Sequence, residues 1–237
     1  METIFFDPAQ EFNKGQNVII ASIVGTECNQ YTAGSLDIQR CITENKAQLV
    51  VVKWETTYDD LAKLNPDGLL LPGGVFENDG PRSNAYLEAI KYAEQYKLPT
   101  LGICAGMQMM ARHVGAKLES LPNPDGVHRQ IGVHNAHGIK CVGNSILTEC
   151  GYSADSGVDN LVNSRHREAI FSQPLKNARP IAWSDQDDNV IEAMEFEWSK
   201  FAIGIQWHPE NLAMSGLNSQ VQQSKKLFKA FVNAAVK

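Results

Sequence analysis

The chain has 237 residues, of which 43% are hydrophobic and 20% are charged, a balance typical of a globular protein with a sizeable core. The net charge of −6 at pH 7 and the scattered placement of lysine and arginine argue against a nucleic-acid partner and against an anionic membrane surface. The five cysteines lack the paired spacing of a zinc or disulfide framework, so we expect reduced thiols.

The amino-terminal residues carry neither a positively charged leader nor an apolar stretch of signal-peptide length. No later segment has the length and apolarity of a membrane span. We therefore expect a cytoplasmic protein that does not contact a membrane. Since no internal repeat or linker interrupts the pattern, residues 1–237 are expected to form a single domain.

The first half of the chain alternates strand and helix patterns. The continuous apolar run from Val18 to Val24 is typical of a parallel strand that is covered on both faces. Further strands at 48–54 and 68–71 alternate with helices at 34–46, 58–64 and 82–96. This alternation predicts an α/β fold with a doubly wound, mostly parallel central sheet and flanking helices.

A sharp turn is predicted around Cys104. A short apolar strand reaches this cysteine, Gly102 and Gly106 stand on either side of it, and an Ala/Met-rich helix pattern begins at once and runs to about Val114. Gly-x-Cys-x-Gly is the thiol counterpart of the Gly-x-Ser-x-Gly nucleophile elbow, in which glycines let strand and helix pack closely around a strained nucleophile. At the amino end of a helix the dipole favours the thiolate.

Beyond Val114 the pattern changes to short strands separated by turn residues, which predicts an antiparallel extension of the sheet. The strand candidates are residues 137–142, 145–147, 160–163, 180–183, 190–194 and 201–206. An amphipathic helix is predicted for residues 220–236.

His208 and Glu210 follow the last of these strands. Two residues apart at the end of a strand, both side chains can face the carboxyl edge of the sheet, where parallel α/β folds bind ligands. An imidazole can take the proton of Cys104, and the carboxylate can hold that imidazole in the correct tautomer. Alone, His208 and Glu210 would be interpreted as an ordinary pair of surface residues. Together with the elbow they predict a Cys-His-Glu catalytic triad.

A second turn, Pro72-Gly73-Gly74, ends the predicted strand at 68–71. Backbone amides at Gly73 or Gly74, together with the amide of Ala105, could hold the oxyanion of a tetrahedral intermediate. The alternative is a plain turn. The expected adjacency of the two strand ends favours the oxyanion role.

These motifs resemble the class I glutamine amidotransferase superfamily: Leu-Pro-Gly-Gly at 71–74, Gly-Ile-Cys-Ala-Gly-Met-Gln at 102–108 and Gln-Trp-His-Pro-Glu at 206–210. The resemblance implies that Cys104 is the nucleophile, His208 the base and Glu210 the group that orients it. It also implies oxyanion donors at Ala105 and the Gly73-Gly74 turn, contact of Gln108 with the glutamyl part of the substrate, and no cofactor.

Within that superfamily, residues 162–170 and 190–193 are similar to the γ-glutamyl hydrolase branch, which includes hydrolases of γ-glutamyl-aminobutyrate. Members of that branch often have Asn-Ser-x-His-His-Gln where this chain has Arg167 and Glu168 in the last two positions, and they commonly have arginine in place of Ala105. Arg165 and His166 are candidates for binding a substrate carboxylate. The alternative is a solvated arginine and a histidine bonded to the backbone.

Three histidines and one cysteine, His128, His134, His137 and Cys141, stand close together in the sequence. Their Gly- and Asn-rich surroundings give no fixed ligand geometry, so no metal is expected from the sequence. The cysteines other than Cys104 are interpreted as small core or strand residues, namely Cys28, Cys41, Cys141 and Cys150.

The sequence thus favours a cysteine-dependent hydrolase that cleaves the amide bond of a small γ-glutamyl substrate, either a γ-glutamyl-amine or glutamine itself, through a γ-glutamyl thioester. One alternative is a glutaminase module that delivers ammonia to a separate synthetase partner, since no synthetase domain follows Glu210. Another is a catalytically silent binding or regulatory protein on the same scaffold. A homo-oligomer is left open.

Overall fold

A mixed sheet runs through the part of the chain that the computed structural model describes, namely residues 4–9, 17–23, 33–74, 80–123, 125–154, 160–187 and 189–236. Its strands are β1 (Ile4–Phe5), β2 (Val18–Ile23), β3 (Ala47–Val52), β4 (Gly68–Leu71), β5 (Thr100–Ile103), β6 (Leu118–Ser120), β7 (His137–Cys141), β8 (Leu161–Val162), β9 (Glu168–Phe171), β10 (Ala178–Ser184), β11 (Val190–Phe196) and β12 (Ala202–Ile205). The helices are α1 (Ala33–Thr43), α2 (Tyr58–Leu64), α3 (Pro81–Tyr96), α4 (Ala105–His113), α5 (Ile146–Glu149), α6 (Pro209–Ser215) and α7 (Asn218–Ala235).

The sheet has a parallel half and an antiparallel half. The order β1-β3-β2-β4-β5-β12 is parallel throughout, and β11, β10, β7 and β8 continue it with antiparallel pairing. A short branch, β9 with β6, pairs with β11. This arrangement is the predicted mostly parallel sheet with an antiparallel extension, and it places β12, from the end of the chain, beside β5 at the centre.

Helices cover both faces of the parallel half. In β4, Leu70 belongs to the hydrophobic cluster that includes α1, α6 and α7, whereas Leu69 and Leu71 belong to the cluster that includes α2, α3 and α4. All three side chains are buried because successive residues of a strand point to opposite faces. The result is the three-layer arrangement in which ligands bind at the carboxyl edge of the parallel strands.

The predicted elements of the first half match the structure closely, but the strand predicted at 145–147 is wrong. Residues Ile146–Glu149 form the short helix α5. The hydroxyl of Ser145 accepts from the Thr148 amide at 3.4 Å, and the Thr148 hydroxyl accepts from the Ser145 amide at 3.0 Å. This reciprocal capping box fixes a helix start that apolar periodicity alone does not show.

No helix among the described residues is both long enough and apolar enough to cross a bilayer.

Candidate active site

Cys104 occupies the sharp turn between β5 and α4. Its backbone has φ of 50° and ψ of −106°, a conformation that L-residues adopt only when the surroundings impose it. The Cys104 amide donates to the Ile205 carbonyl of β12 at 2.7 Å, and the Cys104 carbonyl accepts from the Gln108 amide at 3.1 Å. The sheet and the helix therefore both hold this residue in the predicted elbow, and the side chain is 7% exposed.

The two glycines of the elbow are required by close packing. A Cβ on Gly102 would lie 2.9 Å from the Gly106 carbonyl carbon and 2.9 Å from the Met107 amide nitrogen, inside the backbone of α4. A Cβ on Gly106 would overlap the Leu71 carbonyl oxygen of β4. Glycine at both positions lets α4 approach the strands closely enough to complete the elbow.

His208 and Glu210 meet at the end of β12, next to β5. The Glu210 Oε1 atom lies 2.7 Å from His208 Nδ1, and the Glu210 side chain is 3% exposed. The buried Asn163 side chain holds the backbone of His208 from both sides, since its Oδ1 accepts from the His208 amide at 2.8 Å and its Nδ2 donates to the His208 carbonyl at 2.9 Å. Asn163 is a positioning residue to which the sequence pattern assigned no role.

The imidazole of His208 reaches the elbow across the Gly73 turn. A Cβ on Gly73 would lie 2.6 Å from His208 Cε1 and 3.3 Å from Cys104 Cβ, so both side chains border the same small space. Burial disfavours a charged imidazole, but the Glu210 carboxylate and a hydrogen bond with Cys104 outweigh that effect and raise the pKa of His208 to about 10. A protonated imidazole beside the sulfur stabilises negative charge there.

We expect His208 to make folding stability depend on pH, most clearly in a Cys104→Ala background that removes the thiol titration. The folded state holds the imidazole proton more tightly than the unfolded state, whose pKa is near 6.5. This contribution is complete below pH 6.5 and is lost as pH rises toward the folded pKa, at or below about 10. In Cys104→Ala, the free energy of unfolding measured with urea should fall by a few kcal/mol between pH 6 and pH 10. The double variant Cys104→Ala/His208→Gln should lack that decline. If the free energy of unfolding changed with pH in the same way in both variants, the expectation would be wrong.

The Gly73 turn is held by two side chains of α3. Arg82 Nη2 donates to the Gly73 carbonyl at 2.7 Å, and the Tyr86 hydroxyl donates to the Pro72 carbonyl at 2.8 Å. Since the described peptide bonds are trans, the amides of Gly73 and Gly74 point away from these two side chains. This orientation supports the oxyanion role predicted for the turn, which stays a prediction together with that of Ala105.

A buried amide network supports the sulfur from the side of β12. Gln206 Nε2 lies 3.5 Å from Cys104 Sγ, and Gln206 Oε1 accepts from Gln108 Nε2 at 3.1 Å. Gln108 Nε2 also donates to the Glu168 carbonyl at 2.9 Å. Gln108 lies one turn of helix from Cys104, and its amide nitrogen is engaged within the protein. Its contact with the glutamyl part of a substrate stays a prediction. Gln206 is the first residue of the Gln-Trp-His-Pro-Glu motif, but the sequence pattern assigned it no role of its own.

The family model for class-I glutamine amidotransferases matches residues 30–233. The chain belongs to the class I glutamine amidotransferase family. The superfamily expected from the three motifs is thereby confirmed, and its γ-glutamyl hydrolase branch stays a prediction.

Relatives and solved structures agree with this assignment. The CTP synthases of Streptococcus pyogenes serotypes M3 and M1 are each 32% identical to this chain; the match covers 78% of the chain and only 39% of their length. A protein of Thermoplasma acidophilum assigned as a GMP synthase subunit superimposes with a TM-score of 0.68 at 18% identity, over 93% of this chain and 95% of that one. The glutaminase domain of Trypanosoma brucei CTPS, solved with bound acivicin, superimposes with a TM-score of 0.64 at 19% identity, over 92% of this chain and 94% of that one. These two structures confirm the predicted fold.

Arg165 and His166, the predicted ligands of a substrate carboxylate, lie in a segment that pairs with residues 128–130. His166 is 4% exposed, and its Nδ1 lies 2.9 Å from the Glu168 carbonyl. Its Nε2 faces the carboxylate of Glu192 at 3.7 Å. The substrate role of the pair stays a prediction, and the His166 ring points at the Glu192 carboxylate.

Four buried side chains with metal-ligating atoms come together beside β11, namely His128, His137, His166 and Glu192. Two of them, His128 and His137, belong to the set considered from the sequence. His134 and Cys141 lie outside the group, and Cys141 is a core residue whose pKa burial raises to about 12. Cys41 and Cys150 are likewise free, buried thiols, whereas Cys28 lies outside the described residues.

Proposed function

We propose that this chain hydrolyses the side-chain amide of glutamine through a γ-glutamyl thioester and releases ammonia. The observation that carries the proposal is the convergence of the Cys104 elbow with the buried His208–Glu210 pair in a member of the class I glutamine amidotransferase family. A strained nucleophile, a base within reach and a carboxylate that orients the base are the parts that amide hydrolysis by a cysteine requires.

In the first half-reaction the Cys104 sulfur attacks the amide carbon, and the negative charge moves to the carbonyl oxygen. The amides of Gly73 or Gly74 and of Ala105 are the proposed donors to that oxygen. Collapse of the intermediate breaks the carbon–nitrogen bond, and the imidazolium of His208 gives its proton to the departing nitrogen, which leaves as ammonia. A γ-glutamyl thioester on Cys104 and a neutral imidazole remain.

In the second half-reaction the neutral imidazole of His208 takes a proton from water as that water attacks the thioester. Collapse of the second tetrahedral intermediate releases glutamate and restores the sulfur anion beside the imidazolium. Glu210 keeps its hydrogen bond to Nδ1 throughout, so Nε2 is the nitrogen that exchanges the proton.

The relatives favour glutamine over a larger γ-glutamyl-amine as the substrate. The Streptococcus pyogenes relatives are CTP synthases, and the Trypanosoma brucei structure is a glutaminase domain. The chain also departs from the γ-glutamyl hydrolase pattern at Ala105, Arg167 and Glu168. Arg167 is directed to the surface, where it lies 3.7 Å from the exposed Asp125 carboxylate. Its side chain is therefore not directed to Cys104.

Delivery of the released ammonia to a synthetase partner is a second candidate function. The specific observation in its favour is that this chain aligns with 39% of the length of the CTP synthases. A synthetase active site would then have to be supplied by other residues or by a separate protein.

Kinetics with two substrate classes test the proposal. We expect the purified chain to release ammonia from glutamine with a higher kcat/KM than it releases amine from γ-glutamyl-methylamide or γ-glutamyl-aminobutyrate, and we expect diazo-oxo-norleucine to label Cys104 stoichiometrically. A preference for the γ-glutamyl-amines would favour the γ-glutamyl hydrolase. If well-folded protein neither turned over glutamine nor reacted with diazo-oxo-norleucine, the proposal would be contradicted. That result would favour a catalytically silent binding or regulatory protein.

If Cys104 is labelled by the inhibitor but glutamine turnover is slow, addition of a candidate synthetase should accelerate ammonia release. That outcome would support the ammonia-delivery candidate, whereas fast turnover by the chain alone would remove the need for a partner.

A further inference from the structure

Outside the triad, one group of buried side chains points its polar atoms at a common centre. His128 Nδ1, His137 Nε2 and His166 Nε2 lie 3.4, 3.5 and 3.7 Å from the same carboxylate oxygen, Glu192 Oε1. All four candidate ligand atoms lie within 4.8 Å of one another. Glu192 and His137 are 0% exposed at the side chain, His166 is 2% and His128 is 8%, so water does not solvate the group.

Several buried polar atoms of this group lack a hydrogen-bond partner among the described residues. Both carboxylate oxygens of Glu192 and the three inward-facing histidine nitrogens have no hydrogen-bond partner there. Buried polar atoms without partners are rare, and a buried carboxylate without any is costly. Five such atoms around one centre need either an added proton or a bound ion to complete their interactions.

The other ring nitrogens show which lone pairs are available. His137 Nδ1 lies 3.0 Å from the Gly138 carbonyl, and His166 Nδ1 lies 2.9 Å from the Glu168 carbonyl. A carbonyl accepts only, so in both rings Nδ1 must carry the proton. In a neutral ring Nε2 then presents its lone pair to the centre of the group. A backbone carbonyl that fixes the tautomer in this way is typical of metal-ligating histidines.

The spacing fits four-coordination. Zinc bonds to nitrogen and oxygen of about 2.0 to 2.2 Å place the ligand atoms of a tetrahedron about 3.3 to 3.6 Å apart. The distances of 3.4, 3.5 and 3.7 Å from Glu192 Oε1 to the nitrogens are close to that edge length. A small inward movement of the histidine rings would bring the remaining separations, up to 4.8 Å, to the same value.

We propose that His128, His137, His166 and Glu192 bind one divalent transition-metal ion of the zinc class. Three imidazoles and one carboxylate suit Zn²⁺ and exclude the all-oxygen chemistry that Ca²⁺ and Mg²⁺ prefer. Four protein ligands leave no open position, so the ion is structural rather than catalytic. This proposal does not depend on the proposed glutaminase function.

The ion would add a direct link between four parts of the chain. His128 lies in an irregular segment, His137 on β7, His166 just before β9 and Glu192 on β11. The His166 amide and the Ser164 hydroxyl both donate to the His128 carbonyl at 2.8 Å. This segment continues into Asn163, which holds the backbone of His208. The ion would therefore stabilise the segment that positions the catalytic histidine.

Without an ion, the charge of the buried Glu192 carboxylate would have to be balanced by a proton held within the group. In that state burial would raise the pKa of Glu192, but the neighbouring imidazoles, His137 foremost, hold it below its ordinary range. A group that binds a metal ion should take up added zinc, whereas a group held together by a proton alone should not.

The first test uses the full, untagged wild-type chain and needs no variant. After dialysis against a chelator, titration with ZnCl₂ should give one bound ion per chain by elemental analysis. At about a hundredfold excess of free ion over Kd, Tm should rise by roughly 5 to 10 °C. CoCl₂ should give the strong visible absorption of four-coordinate Co²⁺. Absence of stoichiometric binding, or no rise in Tm with either ion, would overturn the proposal in favour of the proton cluster.

Two variants then test the ligand set. Glu192→Gln keeps the shape of the side chain but removes its charge, and it should weaken zinc binding at least about 100-fold, since even changes outside the ligand set cost about 10- to 100-fold. His134→Gln changes a nearby histidine outside the group and should bind zinc like the wild type. Equal zinc affinity in Glu192→Gln and wild type would overturn the assignment of these ligands.

Discussion

Replacement of Cys104 by alanine is expected to lower glutamine hydrolysis by about 10⁴-fold or more, while the protein stays folded. The substitution removes the sulfur that forms the thioester and leaves His208, Glu210 and the backbone amides in place. Because members of a triad act as one unit, His208→Gln should cost a similar factor and Glu210→Gln somewhat less. Steady-state ammonia release measures the loss, and mass spectrometry should detect no inhibitor adduct on Cys104→Ala.

Cys150→Ala is the matched control. Cys150 is also buried, and burial raises its pKa to about 12, so its thiol does not form a nucleophilic thiolate at neutral pH. This variant should keep the kcat and the inhibitor labelling of the wild type and lose only a modest amount of stability. Glutamine hydrolysis that survives in Cys104→Ala but falls in Cys150→Ala would show that the nucleophile has been assigned to the wrong cysteine.

The elbow could be predicted because its requirements are local. Strand, cysteine and helix follow one another within a few residues, and the two glycines that allow their close approach stand in the same stretch. The position of His208 and Glu210 at the same sheet edge as Cys104 could be predicted because they lie two residues apart at the end of a strand, in a fold whose parallel strand ends meet at one edge.

The antiparallel half was harder to predict because its elements are short. The strand β6 has three residues and β9 has four, too few to establish an alternating pattern, and β9 begins with the polar Glu168. The helix α6 begins at Pro209, inside the Trp-His-Pro-Glu motif, and its seven residues were not predicted to be helical. In these places pairing with the rest of the sheet, rather than local propensity, decides the structure.

The histidine cluster could not be predicted because its members share no local pattern. The ligand candidates are spread from residue 128 to residue 192 and have no fixed spacing. In the sequence His134 and Cys141 are as good candidates as His128 and His137, and only tertiary packing distinguishes them. The side chain of Asn163 is a similar case, because its contact with His208 joins residues that lie far apart in the chain.

The elbow should tolerate no added methyl group at Gly106. A Cβ there would overlap the Leu71 carbonyl oxygen, which is backbone and cannot rotate away as a flexible side chain could. The helix α4 and the strand β4 would have to separate, which would displace Cys104 from His208. We expect Gly106→Ala to lose about 3 kcal/mol or more of unfolding free energy and to reduce glutamine hydrolysis severely.

Gly143→Ala is the matched control, since a Cβ on Gly143 meets nothing within 4 Å and its backbone is not in the left-handed region. Its stability should stay within about 0.5 kcal/mol of the wild type, with unchanged activity. Urea unfolding of both variants, together with ammonia release, measures the difference. A Gly106→Ala protein as stable and as active as Gly143→Ala would mean that α4 does not need its close contact with β4, and the geometric explanation of the second glycine would then be wrong.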